Sequence, residues 1–418
     1  MTTHEPTDPS RPAVVLVGGV GAIALGVDVG RHALAQARAR GMATHQVNQA
    51  ATLAATPELA DLADRSWPVD FMTPGDSAAW AKESAARGQR IDVVIGVREF
   101  AQEATAEVAA AAGAPGNPPD VVRTVRNKDL CRAALAAKGF RQPGFRLCAD
   151  AAEAADFVAA TTGPWVVKPR DQMGSKGVTK VEDLAALAPA VAALGSDEPF
   201  LVEEFVSGQE YSVEGVFLGG RPHVLAVTEK QLMEPLFVEV GHVLPAPLPE
   251  AVTEEFATAV TAALEALGLG FGVFHVELWH TAGGVVLGEV HVRNGGDWIH
   301  LLLQHAIPGF ELFGTVYDDA LGNPVDVAAL TPTRGAAVRF LTPPAGVLER
   351  IEGWDEVLAH PAVLRASLGV EPGAVIPPVT ESYDRVGEIV VGADTPEQAS
   401  ALARELADSV TFVVRSAR

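Results

Sequence analysis

Cysteine, lysine and long apolar runs are all scarce in this chain, and each shortage removes a class of protein. Two cysteines in 418 residues, Cys131 and Cys148, cannot staple a fold of this size. Neither lies in a C-x-x-C or Cys/His spacing, so a disulfide framework and a cysteine-based zinc site are excluded, and a reducing cytosol fits. No apolar run is long enough to span a bilayer. Residues 1–10 are polar and acidic, unlike a secretory leader, so the expectation is a cytoplasmic protein. Positive charge is outnumbered, 31 Lys and Arg against 53 Asp and Glu, for a net charge of −22. Nucleic acid and anionic membrane partners are therefore not expected. Only seven of the basic residues are lysine, which makes each lysine in a motif informative. Also missing are G-x-x-x-x-G-K-[ST], the kinase H-R-D and D-F-G set and a G-x-S-x-G elbow, which excludes a Walker-type site, a protein kinase and that type of serine hydrolase.

What is present is globular composition, 48% hydrophobic and 20% charged, in a chain long enough for two to four domains. Short apolar strands at residues 12–17, 44–47 and 91–96 alternate with helices, one of them Ala-rich and ending near Gly41, which predicts a parallel α/β unit. The glycines of Gly18-Gly-Val-Gly21 miss the dinucleotide spacing and read as strand-to-helix turn residues. Ala112-Gly-Ala-Pro-Gly-Asn-Pro-Pro119 is a loop and a boundary. From Thr331 short strands and turns return, and Thr395-Pro-Glu-Gln398 is a capping box with proline at the first helical position. The expected division is 1–116, an N-terminal α/β domain; 117–328, a central domain; and 329–418, a small α+β domain.

The chemistry concentrates in a hairpin. Residues 272–279 and 285–293 alternate as strands about a turn at 280–284. Period-two alternation puts His275, Glu277, Glu289, His291 and Arg293 on one face and Phe274, Val276, Leu278, Val290 and Val292 on the other. Glu277 then stands almost opposite Glu289. Like charges directly opposite destabilise a strand pair, so a half-buried carboxylate pair calls for a cation, and Arg293 suits an anion held nearby. A magnesium–phosphate site is the implication. Zinc is disfavoured, since the spacing is not H-E-x-x-H and lysine-bearing strands suit a hard cation bridging phosphates.

Those lysines follow an order. Asn127 and Gly139 bracket a helix whose first residue is Lys128, where the macrodipole disfavours a cation unless an anion lies close. Trp165-Val-Val-Lys-Pro169 is a strand. Arg170–Gly177 is a Gly/Ser loop whose unpaired N–H groups suit phosphate oxygens. Lys128, Lys168-Pro, Gly174-Ser-Lys-Gly-Val178, Glu203-Glu-Phe-Val206, Glu210 and Glu277…Glu289-Val-His-Val-Arg293 together resemble the ordered signature of the ATP-grasp superfamily, over residues 10–325. The C-terminal part resembles the L-amino-acid ligase branch, the dipeptide-forming carboxylate–amine ligases.

The resemblance implies an ATP-grasp fold: an α/β (α+β) chain with an N-terminal parallel domain, a lid at about 165–230 over a central antiparallel sheet, and a C-terminal α+β domain. It implies ATP and Mg2+ (or Mn2+) as cofactors, and small carboxylate and amine substrates joined through an acylphosphate. A homodimer is expected by analogy. Lys128 and Lys168 would contact phosphates, Gly174, Ser175, Lys176 and Gly177 would close over them, and Glu203, Glu204 and Val206 would form the adenine hinge. Glu210 would bind the ribose. Glu277 and Glu289 would ligate metal; His291 stands where the superfamily has Asn, so a full second metal site is open. Arg293, Lys230 and His242 would act in catalysis, and Glu239, Asp297 and Trp298 would line the substrate pocket. Three other functions fit the core less well: a bicarbonate- or formate-using carboxylase or purine-pathway enzyme, a phosphotransferase, and a non-catalytic nucleotide binder. Gly295-Gly-Asp297 and the terminal domain argue against the carboxylase, and intact Glu277, Glu289 and Arg293 argue against the last.

Overall fold

The structure is a computed structural model that describes residues 10–19, 23–59 and 62–416. The acidic first nine residues and Val20-Gly21 of the glycine turn lie outside the described residues. The first sheet holds β1 (Ala13–Val17), β2 (Ala43–Asn48), β3 (Arg65–Pro68) and β4 (Val93–Gly96) in the order β3-β2-β1-β4, all parallel. All five residues of β1 are buried, as an apolar run covered on both faces requires. The Ala-rich helix Ala24–Ala39 covers one face. Its Asp28 accepts a hydrogen bond at 2.8 Å from His300 of helix Ile299–Ala306, which joins this unit to the centre of the molecule.

A second sheet is formed by β5 (Phe145–Cys148), β6 (Trp165–Pro169), β7 (Thr179–Val181) and β8 (Phe200–Glu204), ordered β5-β8-β6-β7 and antiparallel. Helices Ala151–Ala160 and Leu184–Ala193 pack on one face and give it a hydrophobic core of its own. Both helices start on an aspartate, Asp150 and Asp183, whose carboxylate accepts from first-turn N–H groups. Lys128 opens helix Lys128–Ala137, as expected, but Asn127 does not cap it; its amide donates back to Arg123.

The third sheet spans the molecule. β9 (Gln209–Leu218), β10 (Arg221–Met233), β11 (Val238–Leu244), β12 (Val273–Thr281) and β13 (Gly284–His291) are continued by β14 (Gly335–Leu341), β16 (Val363–Leu368) and β18 (Gly387–Ala393) in the order β13-β12-β9-β10-β11-β14-β18-β16. The C-terminal strands thus extend the central sheet, while β15 (Gly346–Glu352), β17 (Val375–Ile376) and β19 (Thr411–Arg415) make a separate three-stranded sheet. Helix Pro396–Ser409 starts at Thr395, whose hydroxyl accepts from Gln398 N–H, as the sequence predicts. Among the described residues no helix is long and apolar enough to cross a membrane. Cys131 and Cys148 are free and buried, and burial pushes their thiols up to about 12 and about 11.

Candidate active site

The β12–β13 hairpin turns tighter than expected, with Thr281 paired to Gly284. Its register shifts between Val276↔Val290 and Leu278↔Leu287, so Glu277 alone faces both Gly288 and Glu289. This is a β-bulge, and it re-aims the carboxylates. Gly288 is required there: a Cβ would sit 2.8 Å from the Glu277 carbonyl oxygen and 3.2 Å from its Cβ. The alternation otherwise holds. Phe274, Val276, Leu278 and Val290 enter the core beneath the sheet, and His275 stacks on His291 on the opposite face with ring centroids 5.7 Å apart.

That face floors a cleft of about 1210 Å³, roofed by the second sheet and the loop of residues 170–178. Lys128, Lys168, Gly174, Ser175, Lys176, Glu203, Glu204, Val206, Glu210, Lys230, Glu239, Glu277, Glu289, His291 and Arg293 all line it. Gly177 stands beside it in the loop with φ +69°, next to Gly174 and Ser175 at +68° and +59°. The Ser175 hydroxyl ties the loop down by donating to the Phe237 carbonyl at 2.6 Å. Lys128 holds the loop's other side by donating to Gln172 at 2.9 Å, and its ammonium lies 3.3 Å from Glu289.

Lys230 stands among three carboxylates: hydrogen-bonded to Glu210, 3.1 Å from Glu277 and 3.6 Å from Glu239. Burial pulls its ammonium down, but Glu210, Glu277 and Glu239 outweigh burial and hold it well above its ordinary value. Burial likewise opposes ionisation of Glu277 and Glu289. Lys230 for the first and Lys128 for the second overcome it, and both acids are held well below the usual carboxylate range. His275 is pushed down by burial and up by Glu214, 2.9 Å away, and by Glu277, ending at about 9. Glu277 and Glu289 thus stand ionised beside one ammonium each, with Glu239 near Lys230 and with Glu210 pushed up by burial, so the acids outnumber the ammoniums they meet. Hard oxygen donors with that excess fit one divalent cation of the magnesium type. His291 faces Glu99 at 3.2 Å through Nδ1 and Glu289 at 3.4 Å through Nε2.

Three expected residues stand apart from this cleft. Asp297 makes a two-pronged pair with Arg385 at 2.9 and 2.7 Å and accepts a contact from His242 Nε2 at 3.0 Å; burial resists its charge, but Arg385 and His242 keep it ionised. This group reaches the cleft through Glu239, whose carboxylate accepts from Ser382 and whose carbonyl accepts from Arg385, and through His242, which pairs with Lys230 across β10 and β11. Trp298, expected to line a pocket, is 3% exposed and packs into the core, with the Arg365 guanidinium 3.9 Å over its ring. Its large ring is better buried than wetted.

The sequence reading missed a network of buried charge in the wall of the cleft. Glu99, 5% exposed, takes Arg293 at 2.6 Å and Arg126 at 3.1 Å and so fixes the expected catalytic arginine from the N-terminal unit. Glu203 turns its carboxylate inward onto Arg132, 1% exposed, and onto Lys168 at 2.8 Å. Glu204 accepts from the Gly144 N–H. The only sequence signal for Glu99 was a charged pair, Arg98-Glu99, directly after an apolar strand, where parallel sheets place ligand-facing residues.

Comparison with known proteins agrees with this fold. Residues 161–302 match the family model "ATP-grasp domain", and residues 339–415 match "L-amino acid ligase C-terminal domain 2". The chain belongs to the ATP-grasp superfamily. The crystal structure of an L-amino acid ligase from Bacillus licheniformis superposes with a TM-score of 0.79 at 23% identity, covering 97% of this chain and 100% of that one. An uncharacterised protein, y4rH, of Sinorhizobium fredii is 31% identical over 308 residues, 72% of this chain and 63% of its own. Dapdiamide A synthase of Enterobacter agglomerans is 28% identical over 181 residues, 41% of this chain and 43% of its own. The chain thus spans less than two thirds of either curated relative.

Proposed function

We propose that the protein is an ADP-forming ligase that joins a carboxylate to an amine, with amino acids or close analogues as substrates. The observation that carries this reading is one cleft, under the glycine loop, that gathers Lys128, Lys168, Lys230 and Arg293 with Glu277 and Glu289. On this reading residues 1–116 supply the substrate side, 117–328 the nucleotide side, and 329–418 the far wall. The likeness to the L-amino acid ligase model and to dapdiamide A synthase supports it.

Glu277 and Glu289 would hold magnesium, which when bound neutralises the triphosphate and favours phosphoryl transfer. His291 becomes a third ligand only if Glu289 gives up its Nε2. Lys128 and Lys168 stand to neutralise phosphate oxygens, and Lys176 and the N–H groups of Gly174–Gly177 to cover them. Val206 and the backbone after β8 offer the base edge hydrogen bonds. A substrate carboxylate oxygen attacks the γ-phosphorus and ADP leaves with the bridging electron pair. The amine nitrogen then attacks the acyl carbon, the C–O bond to phosphate breaks, and the amine gives up a proton. Arg293, clamped by Glu99, faces the charge that builds in both steps. The loop keeps water from the acylphosphate.

The test is a hydroxylamine trap. Purified protein with ATP, Mg2+ and each amino acid in turn should release ADP and yield the acyl hydroxamate of one carboxylate partner. Glu289→Gln and Arg293→Ala should each lower that rate by at least about 100-fold. Wild-type rates in both variants would defeat the assignment.

A further inference from the structure

Five arginines around the cleft each rest on an acid: Arg126 and Arg293 on Glu99, Arg132 on Glu203, Arg170 on Asp129 and Arg385 on Asp297. Arg98 does not. It follows β4, at the carboxyl edge of the parallel sheet, where open α/β sheets bind ligands. Its guanidinium touches the Gly18 carbonyl at 3.4 Å, lies 5.3 Å over the Phe71 ring and is half-buried. Among the described residues no carboxylate lies within ion-pair distance of it, in a chain that carries 22 surplus negative charges. Burial draws its pKa below the ordinary arginine value, against the opposing pull of the Tyr383 phenol. A desolvated guanidinium left without an acid costs free energy unless a ligand supplies the anion.

The neighbourhood says which anion. Glu99, the next residue, turns the other way to hold Arg293 and Arg126, so Arg98 stands one residue from the clamp on the expected catalytic arginine. Tyr383, from the turn Ser382–Asp384, lies in the field of both Asp297 and Arg98. The same turn meets the glycine loop, where Ser382 N–H donates to the Gly174 carbonyl at 3.0 Å. Gly18, at φ +71°, leaves no room for a side chain: a Cβ would meet Ala101 Cβ at 2.4 Å. Close packing there keeps its carbonyl, and with it the guanidinium, in place.

We propose that Arg98 docks the free carboxylate of the amine-donating substrate, which makes that substrate an amino acid and not a simple amine. The assignment rests on the ligase reading. The activated carboxylate must lie by Arg293 and the phosphates, on Glu99's side. A carboxylate that survives the reaction needs a cation of its own on the other side, and Arg98 is the arginine there without one. Its planar fork matches a carboxylate in two-pronged geometry that lysine cannot copy.

The experiment compares acceptors in the full-length protein. Hydroxylamine has no carboxylate; the twenty L-amino acids have one; their amides keep the amine and lose the charge. Arg98→Gln should raise KM for L-amino-acid acceptors by at least about tenfold, with kcat far less affected. It should leave KM for hydroxylamine and for the amides within about threefold of wild type, and Arg98→Lys should recover part of the loss. Equal losses for acids, amides and hydroxylamine, or no loss with any of them, would overturn the assignment. Failure of the wild type to form hydroxamate with any amino acid would remove the ligase reading and this assignment together. Hydroxamate formation without an Arg98 effect would remove this assignment alone.

Discussion

Glu203→Gln should destabilise the protein out of proportion to its one-atom change. The Glu203 side chain is 4% exposed and meets Arg132 through both oxygens, one of them 3.0 Å from Nη2, while Lys168 lies at 2.8 Å. Burial raises the cost of its charge, but Arg132 and then Lys168 hold its carboxyl below the ordinary glutamate value. The amide keeps shape and one acceptor but removes the charge, leaving a fully buried guanidinium and a buried ammonium without a counter-ion. Breaking a buried pair in this way costs about 3–5 kcal/mol. Urea unfolding followed by tryptophan emission is the assay, since Trp165 lies on β6 beside β8.

The pH dependence has a fixed sign. Because the folded pKa is depressed, the contribution is complete above the unfolded glutamate value of about 4.3 and fades as pH falls below it. The gap between wild type and Glu203→Gln should therefore be widest near neutrality and narrow as pH falls from about 5 toward 3. A loss under about 1 kcal/mol at pH 7, or a gap that does not narrow in acid, would refute the claim that this carboxylate holds the two cations.

Gly288→Ala forces a methyl onto the Glu277 carbonyl; we expect a loss of about 1–3 kcal/mol by urea unfolding and a larger proportional loss of ATP-dependent ADP release. Lys230→Met leaves Glu210, Glu239 and Glu277 without their shared ammonium. It should lower stability by about 3–5 kcal/mol in EDTA, and millimolar Mg2+ should restore part of this in thermal melts. Arg385→Met strands Asp297 and frees Glu239, so melting temperature should fall, with His242→Ala in the same background adding less than its effect alone.

Much of the fold was legible because its signals are local. The apolar run of β1, the Thr395 N-cap and most of the alternation of residues 273–291 are local patterns, and these elements formed where expected apart from the tighter turn and the bulge at Glu277. The cleft's lining was legible through a resemblance that fixes an order of motifs. What was hidden depends on contacts between distant segments. Glu99 and Arg293 are 194 positions apart, and Arg132 and Glu203 are 71 apart. Nothing in either local sequence announces its partner. Trp298 shows the converse error: its place beside Gly295-Gly-Asp297 suggested a pocket, but a ring of that size was drawn into the core. The bulge at Glu277 could be anticipated only from Gly288, whose meaning requires the opposing strand.

The arrangement of charge also couples the proposed metal and nucleotide sites. Lys128 lies on Glu289 and Lys230 on Glu277, so the cations expected to meet phosphate are held by the carboxylates expected to meet metal. A divalent ion on the two glutamates weakens their hold on the lysines, and phosphate drawing the lysines away exposes the glutamates to the ion. Each ligand thus removes a competitor of the other, which is positive coupling and must be reciprocal. Typical coupling of about 1–3 kcal/mol corresponds to a 5–150-fold gain in ATP affinity when Mg2+ is present, and the same gain for Mg2+ when a nucleotide is present. Magnesium also pairs with ATP in solution, so the control matters: calorimetry with Glu277→Gln and Glu289→Gln should show ATP binding that no longer gains from Mg2+ on the protein. Magnesium enhancement equal to wild type in both variants would locate the coupling in the nucleotide alone and sink the exchange of partners inferred from these distances.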